Sequence, residues 1–266
     1  MSGQWYVYAI VRDDESLAGL SASGERALTL VPWRHLAAVT EMVMTEPSRC
    51  DVDAILRHND VVEGLHRERA TLPVRFGAVF HDAPAVARSI ADRYSILLAD
   101  LERIGRKIEV GITALWETNV ESPVLELVRP HHGGRYLRAR AAELRREEEM
   151  KQRATAIAAE LTRQFDEAIE HRVTLLPTRG IALRAACLMN RSDLERFHDR
   201  VEEVRTSLGE VRLVVSGACA PYSFVSRNDV RGDAPNHGQG AQFAAALTAL
   251  TSRMPGLNGP GAERVN

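Results

Sequence analysis

The sequence predicts an α+β protein of two domains joined by a long helix, and three observations support this prediction. The chain has 266 residues, which is enough for two domains of ordinary size. Strand-like and helix-like segments alternate both before residue 118 and after residue 171. The stretch between them, Tyr136–His171, contains no glycine or proline. The predicted organisation is an N-terminal α+β domain at 1–118, a linker at 119–135, the long helix with the C-terminal domain at 136–228, and a mostly flexible tail with a short helix at 229–266.

The N-terminal domain is predicted to be built around the strand Trp5–Val11, because both alternating faces of that segment are largely apolar. Two further strands are predicted at 27–31 and 36–43, separated by a turn at Pro32-Trp33, and the segment 36–43 is also compatible with a short helix. Asp51 is a good N-cap residue for a helix that reaches about Arg69.

The stretch RATLPVRFGAVF from Arg69 to Phe80 predicts one strand whose apolar face packs against the core. At a period of two, that face carries Leu72, Val74, Phe76, Ala78 and Phe80, and the opposite face carries Pro73, Arg75, Gly77 and Val79. Apolar residues from Val86 to Ile104 then recur at helical spacing and predict one amphipathic helix that ends at Gly105. Ile108–Ile112 alternates and is predicted to be the last strand of the N-terminal domain.

The second half begins with a predicted helix from Tyr136 to His171, roughly 50 Å long at 1.5 Å per residue. Its segment RREEEMKQR has almost nothing to bury, so the helix is either a solvated bridge or carries a coiled-coil seam for a partner. Strands are predicted at 173–176 and 181–189, although ALRAACL in the second segment would also suit a helix. A helix is predicted from the capping box of Ser192 and Glu195 to Gly209, and a strand from Val211. This is the order of a ferredoxin-like unit without its first strand.

The composition excludes several classes of protein. The net charge of -2 is the difference between 34 basic and 36 acidic side chains, so no overall field attracts nucleic acid or anionic lipid. The three cysteines form no CxxC motif, which gives no support to a disulfide framework or a zinc site. The N-terminus lacks the basic region of a signal peptide, and no apolar run reaches the roughly 18 residues of a membrane span. A cytoplasmic protein is expected.

No motif in the chain indicates catalysis or cofactor binding. GxGxxG, GxxxxGK[ST], HExxH, GxSxG and SxxK are all absent. His58 and His66 lie eight residues apart on the predicted helix, too far to share a metal ion, and Cys187 is expected to be a small buried thiol. We therefore assign no catalytic, cofactor-binding or metal-binding residue.

Two short elements nevertheless supply candidate structural or partner-contact residues. Leu72–Arg75 and Leu176–Arg179 both read LPxR, with glycine at Gly77 in the first case and at Gly180 in the second. We predict that Arg75 and Arg179 either hold carboxylates across the sheet or at the domain junction, or contact a partner. The candidate set is Arg75, Gly77, Arg179, Gly180 and Tyr222.

Five segments in order along the chain resemble the gas vesicle GvpF/GvpL family over about residues 4 to 226. They are YVYAIV at 6–11, LPVRFGAVF at 72–80, KIEVGI at 107–112, GGRYLRAR at 133–140 and PYSFV at 221–225. The resemblance implies an N-terminal α+β domain and a C-terminal modified ferredoxin fold. It also implies an accessory or minor structural protein of gas vesicles that binds the hydrophobic shell protein GvpA and other accessory proteins, without a catalytic residue or cofactor.

Two other functions are compatible with the same elements. One is a ferredoxin-like small-molecule-binding domain or enzyme with an arginine-lined anion site at Arg75, Arg179 or His81. The other is RNA binding through a ferredoxin-like sheet, for which the second half offers few aromatic residues, namely Tyr222 and Phe224.

Overall fold

A computed structural model describes residues 3–13, 28–44, 51–117, 133–164, 170–176, 180–209 and 211–226. All of them belong to one compact unit. Arg179, most of the predicted linker and the tail, with its predicted helix at 241–253, lie outside the described residues.

The first sheet is antiparallel, with β1 near its centre. Its strands are β1 (Gln4–Arg12), β2 (Thr29–Trp33), β3 (Leu36–Val43), β4 (Thr71–Pro73) and β5 (Val79–Phe80). β1 pairs with β3 on one side and with β4 and β5 on the other, which confirms the predicted central strand. Pro32 and Trp33 belong to β2, and the turn lies instead at Arg34 and His35. A proline is tolerated there because β2 ends the sheet in the described part of the chain.

A register shift between Val7 and Ala9 changes the two faces of β1. Tyr6 and Tyr8 lie on the same face as Ala9, whereas Val7 and Ile10 lie on the opposite face. The strict alternation expected from the sequence is therefore wrong beyond Tyr8, because an extra residue in one strand reverses the alternation that follows.

Helices cover both faces of the first sheet. They are α1 (Val52–Glu68), α2 (Ala83–Ala91) and α3 (Tyr94–Ile104). The side chain of Asp51 accepts a hydrogen bond from the Ala54 N–H at 3.1 Å, as expected for the predicted N-cap. The single helix predicted up to Gly105 is broken at Asp92 and Arg93. Its apolar spacing gave no sign of the break, because α2 and α3 bury their apolar residues in the same core.

The second sheet is also antiparallel, in the order β7-β8-β6-β9. Its strands are β6 (Ile108–Trp116), β7 (Glu170–Leu175), β8 (Ile181–Met189) and β9 (Val211–Cys219). The sequence places β6 in the N-terminal sheet domain, but β6 pairs with β8 and β9. The alternation of a strand indicates that it is half-buried, not which strands lie beside it.

One face of the second sheet is covered by α4 (Gly133–Gln164) and α5 (Leu194–Ser207). In α4 the described side chains from Leu137 to Glu149 are all exposed, whereas Ala154, Ile157 and Leu161 are buried against the sheet. The helix does not reach His171, which lies in β7. Ser192 lies in a 3₁₀ turn before α5 and does not cap it through its side chain.

The apolar core that buries α2 and α3 also joins the two sheets. It contains β1, α2 and α3 side chains together with Leu188 of β8 and the fully buried Phe224. The two sheets are thus packed on a common layer of helix that contains α2 and α3.

Candidate functional site at the junction of the sheets

Four of the five family-like segments meet where the sheets join. Tyr6 and Tyr8 of β1 lie beside the ring of Phe76, and Tyr222 packs against the same cluster. Glu109 of β6 bonds Ser223 in the last of these segments. The fifth segment lies at the start of α4, where residues 137–140 are exposed.

The segment predicted as one strand from Leu72 to Phe80 is interrupted by residues 74–78, which we call the arch. The N–H of Val74 donates to the Tyr8 carbonyl at 3.0 Å, and the N–H of Val7 donates to the Ala78 carbonyl at 2.9 Å. Between these anchors Gly77 has φ of 87°, a conformation that favours glycine. The arch turns Phe76 into the core on the Tyr6 side of the sheet, whereas Leu72 and Phe80 stay with the opposite core. The predicted common face of these residues is therefore wrong at Phe76.

His58 of α1 holds the arch through both ring nitrogens. Its Nε2 lies 2.9 Å from the Val74 carbonyl oxygen, which can only accept, so Nε2 carries the proton. Nδ1 of the neutral ring then accepts from the Tyr6 hydroxyl at 2.7 Å. The Tyr6 oxygen in turn accepts from the Gly77 N–H at 3.3 Å. This chain of bonds links α1, β1 and both ends of the arch.

Burial keeps these groups neutral near pH 7. It lowers the pKa of the fully buried His58 to about 4, against the opposing effect of the Val74 hydrogen bond. Burial also raises the pKa of Tyr6 and of Tyr8, and for Tyr8 the hydrogen bond to Glu41 acts in the same direction. A neutral imidazole is the form that the bonding pattern requires.

A buried carboxylate lies next to this chain. The Tyr8 hydroxyl donates to Oε2 of Glu41 at 2.5 Å. The Arg57 guanidinium lies 3.9 Å from Oε1 of the same carboxylate, with Glu41 5% and Arg57 54% exposed. The hydrogen bond and the nearby cation offset the cost of burying Glu41.

The residues after β9, Ala220–Ser226, form what we call the closing segment, and three carboxylates hold its N–H and hydroxyl groups. Glu63 of α1 accepts from the Ala220 N–H at 2.7 Å. Glu109 of β6 accepts from the N–H of Ser223 at 2.8 Å and from its hydroxyl at 2.6 Å. Asp100 of α3 accepts from the Ser226 N–H at 2.6 Å and from its hydroxyl at 3.0 Å.

Three arginines hold the carbonyl groups of the same segment. Arg103 donates to the Phe224 carbonyl at 2.6 Å and also pairs with Asp100 and Glu170. Arg93 donates to the Ser226 carbonyl, and Arg172 donates to the Ser223 carbonyl while stacking over the Phe224 ring at 5.1 Å. Arg103 belongs to α3, Arg93 lies just before it, and Arg172 belongs to β7, so the closing segment connects elements of both sheets.

Two of the carboxylates that hold the closing segment, Glu63 and Glu109, are ionised against the effect of their burial. Burial raises the pKa of both Glu63 and Glu109, whereas their hydrogen bonds to Ala220 and Ser223 lower it in part. Each bond therefore stabilises the ionised form in a place where burial disfavours it.

The structure separates the candidate residues predicted from the sequence. Gly77 and Tyr222 lie at the junction, and Arg75 lies exposed on the arch. Gly180 precedes β8 in the other sheet, where it lines a shallow cleft with Trp116 and Arg212. Arg179 lies outside the described residues. Whether these residues act structurally or contact a partner stays a prediction.

Sequence reasoning missed the polar residues that hold the junction, although two of them left a signal. His58 falls on the same helical stripe as Ile55, Val62 and Leu65, which marks it as buried. Glu109 is a carboxylate between the apolar residues of a strand. Nothing in the sequence indicated which groups these two would meet.

Metal ligands and the Cys187 thiol are the candidates for chemistry that the sequence raised. Within them, no group of three or more His, Cys, Asp or Glu side chains is placed to hold a metal ion. Burial raises the pKa of Cys187 to about 12, which keeps the thiol protonated at neutral pH. No described helix is both long enough and apolar enough to cross a membrane.

Comparison with known proteins places these features in a family. The sequence model of the family described as gas vesicle synthesis protein GvpL/GvpF matches residues 4–226. Gas vesicle protein L of a Streptomyces strain is 28% identical over 254 residues, covering 85% of this chain and 94% of that protein. Gas vesicle protein F1 of Halobacterium salinarum is 22% identical over 230 residues, covering 85% of this chain and 94% of that protein.

Two crystal structures share the fold. GvpF from Anabaena superposes with a TM-score of 0.64 at 18% identity, covering 88% of this chain and 100% of that chain. GvpF from Microcystis aeruginosa gives a TM-score of 0.60 at 17% identity, with 85% and 100% covered. Because the family match extends from β1 through the closing segment, the chain belongs to the GvpL/GvpF family of gas vesicle synthesis proteins.

Proposed function

We propose that this chain is an accessory or minor structural protein that acts in gas vesicle assembly by binding the hydrophobic shell protein GvpA and other gas vesicle accessory proteins. One observation carries the proposal: the family match at 4–226 includes every described residue except Gly3. Family membership supports the gas vesicle role, and the binding of GvpA is the step that we add. A binding role of this kind needs no catalytic group.

Edge strands offer one mode of binding. A shell subunit with a large apolar face aggregates unless a partner covers that face or directs its assembly. Among the described strands, β7 and β9 end the second sheet and each pairs with one neighbour. The free side of such a strand can accept another strand through main-chain hydrogen bonds. We propose sheet-edge pairing as the mode of contact.

The outward half of α4 offers another surface. Leu137 is 68% exposed and Leu144 is 49% exposed, and they lie seven residues apart on one side of the helix. This spacing supports a partner seam, and the exposed charged residues around it support a solvated helix. The partner seam and the solvated helix predicted from the sequence therefore both stay predictions.

We also propose that the second sheet, together with α4 and α5, is a ferredoxin-like C-terminal unit. The chain order β6-α4-β7-β8-α5-β9 and the sheet order β7-β8-β6-β9 support this proposal. The sequence predicted a unit that began at residue 136 and lacked its first strand. In the proposed unit β6 supplies that strand, so the unit begins at Ile108.

Co-expression tests the proposed function. The whole chain is expressed with the shell protein encoded in its own gene cluster, and the gene is deleted in the host in parallel. We expect the two proteins to co-purify and the deletion to reduce vesicle formation. The chain is kept whole, because a cut near residue 119 separates β6 from the rest of its sheet. Neither co-purification nor any effect of the deletion would contradict the proposal.

A further inference from the structure

Half of one face of the second sheet carries arginines that have no described partner. The face opposite α4 and α5 is covered by the closing segment and α3 near Glu109 and Leu188. The other half of this face, which we call the arginine face, is lined by Thr113, Leu115, Thr174, Arg184, Arg212, Val214 and Ser216.

The strand register fixes this set of residues on one face. Arg184 lies opposite Thr113 on β6 and Thr174 on β7. Thr113 lies opposite Val214 of β9, two residues from Arg212. The chain neighbours of these residues, such as Leu183, Ala185, Val211 and Leu213, lie in the core beneath α4 and α5. Alternation along a strand therefore places both arginines on the side away from that core.

Neither arginine is neutralised in the described part of the chain. No ion pair there joins Arg184 or Arg212 to a carboxylate, and the buried Nε of Arg184 has no hydrogen-bond partner among the described residues. An unsatisfied buried donor is destabilising. The Arg184 guanidinium thus has a donor group that the described residues leave unused.

The carboxylates near this face do not neutralise the arginines. Glu109 already accepts from Ser223, and Glu170 already pairs with Arg103. Glu117 lines the cleft beside Arg212, where the described residues show no ion pair between the two. Among the described residues, no carboxylate therefore balances the charge of Arg184 and Arg212.

The chemistry of the face favours an acidic protein segment. Guanidinium groups bind carboxylates through paired hydrogen bonds, and the hydroxyls of Thr113, Thr174 and Ser216 can bond a backbone. Single-stranded nucleic acid needs aromatic side chains for stacking, and the arginine face itself carries none. The ring of Trp116, in the cleft beside Arg212, is already stacked by Arg153 at 5.2 Å. The charge complementarity thus points to carboxylates on a polypeptide.

The spacing of the arginines sets the spacing of the acids. The Cα atoms of Arg184 and Arg212 are separated by two strand spacings across the sheet and by two residues along a strand. Standard sheet dimensions convert this separation to about 12 Å. In an extended segment, residues i and i+4 lie on the same side and about 13 Å apart. We propose that the arginine face docks an extended acidic segment of a gas vesicle protein, with carboxylates four residues apart held by Arg184 and Arg212. This inference rests on the proposed function for the identity of the partner.

A peptide titration tests the docking. The probe is a fluorescent ten-residue peptide of serine and threonine with glutamates at positions 3 and 7, titrated with the whole chain. An isomer with glutamates at positions 3 and 6 has the same charge but presents the two carboxylates on opposite sides. We expect the first peptide to bind at least tenfold more tightly than the isomer, and R184Q/R212Q to weaken it at least tenfold.

The control variant is R196Q/R205Q, which removes the same charge from exposed positions of α5. There Arg196 already pairs with Asp193, just before the helix, and Arg205 pairs with Glu202. It should bind the probe like the wild type. Equal binding to both peptides, equal loss in both variants, no binding to the wild type, or displacement of the peptide by a single-stranded RNA oligonucleotide would each overturn the inference.

The titration contains no gas vesicle protein, so its result is independent of the co-expression test. If the wild type co-purifies with gas vesicle proteins and R184Q/R212Q does so equally well, the docking inference fails while the proposed function stands. If the wild type binds the peptide but no gas vesicle protein, the proposed function fails while the acidic-segment chemistry stands.

Discussion

The Tyr6 hydroxyl lies 2.7 Å from Nδ1 of His58, and this contact fixes the ring of His58 in its neutral form with the proton on Nε2. A protonated ring would present a second donor to a hydroxyl oxygen that already accepts from Gly77. The contact joins α1 to the central strand of the first sheet. A positive charge on the His58 ring would therefore weaken the attachment of α1 to that strand.

The first prediction concerns the pH dependence of stability. Because burial lowers the pKa of His58 to about 4, the unfolded state binds a proton between about pH 6.5 and pH 4 that the folded state does not. The contribution of His58 to stability is therefore fully present above pH 6.5 and is lost as the pH falls. We expect this residue to reduce the free energy of unfolding by about 2 kcal/mol between pH 7 and pH 5, measured by urea denaturation.

His58→Gln is the control, because it removes the titrating group. Glu63 and Glu109 act in the opposite direction, since burial raises the pKa of each and the folded state retains their protons longer as pH rises. Their effect is shared by both proteins and cancels in the comparison. Equal losses of stability between pH 7 and pH 5 in the wild type and in His58→Gln would show that His58 is not the responsible group.

The second prediction concerns the backbone of the arch. Gly77 has φ of 87°, and a Cβ added there would meet no atom within 4 Å, so the cost of Gly77→Ala comes from the backbone conformation alone. We expect a loss of about 1–2 kcal/mol in the free energy of unfolding.

Gly64→Ala provides the matched control in α1. A Cβ there also meets no atom within 4 Å, but the residue is helical and alanine favours a helix over glycine by about 1 kcal/mol. The two substitutions should therefore change the midpoint of thermal unfolding in opposite directions. A Gly77→Ala protein as stable as the wild type would mean that the arch does not require the left-handed conformation.

The sequence predicted the elements whose ends and faces depend on nearby residues. The strands Leu36–Val43 and Ile181–Met189 have the predicted bounds, and the structure decides for a strand where each segment was also compatible with a helix. Asp51 caps α1 as expected. In each case the signal is local: a short apolar run with a turn signal, or a carboxylate one residue before a helix.

The features that the sequence did not predict depend on distant partners. Whether β6 belongs to the first or the second sheet follows from its pairing with β8 and β9, which its own alternation does not encode. The closing segment is held by residues more than a hundred positions away, such as Glu109 and Asp100. Gly77 indicated an irregular strand, but the path of the arch depends on two hydrogen bonds to β1, from Val74 to Tyr8 and from Val7 to Ala78.

The third prediction concerns the bond between Glu109 and Ser223. Both the N–H and the hydroxyl of Ser223 donate to this buried carboxylate, so removing the hydroxyl leaves the carboxylate with one fewer donor. A double-mutant cycle of Glu109→Gln and Ser223→Ala should give a coupling energy of about 1–2 kcal/mol in urea denaturation.

An exposed pair gives the scale for this measurement. Arg12 and Glu102 lie 3.4 Å apart with side chains that are 37% and 62% exposed, and such pairs contribute about 0–1 kcal/mol. The cycle of Arg12→Gln and Glu102→Gln should give the smaller coupling. A coupling for Glu109 and Ser223 no larger than this would argue against the closing segment as a fastening of the two sheets.

The last prediction separates the two roles proposed for Arg75. The side chain is exposed on the arch, so truncating it buries no new charge and opens no core cavity. We expect Arg75→Ala to change the free energy of unfolding by no more than about 0.5 kcal/mol, while reducing the amount of shell protein that co-purifies with the whole chain. Arg88→Ala is the control, because that side chain is also exposed, 64%, and lies on α2. A loss of stability in Arg75→Ala with unchanged co-purification would establish the structural role instead, and would direct the search for partner contacts to the edges of the second sheet.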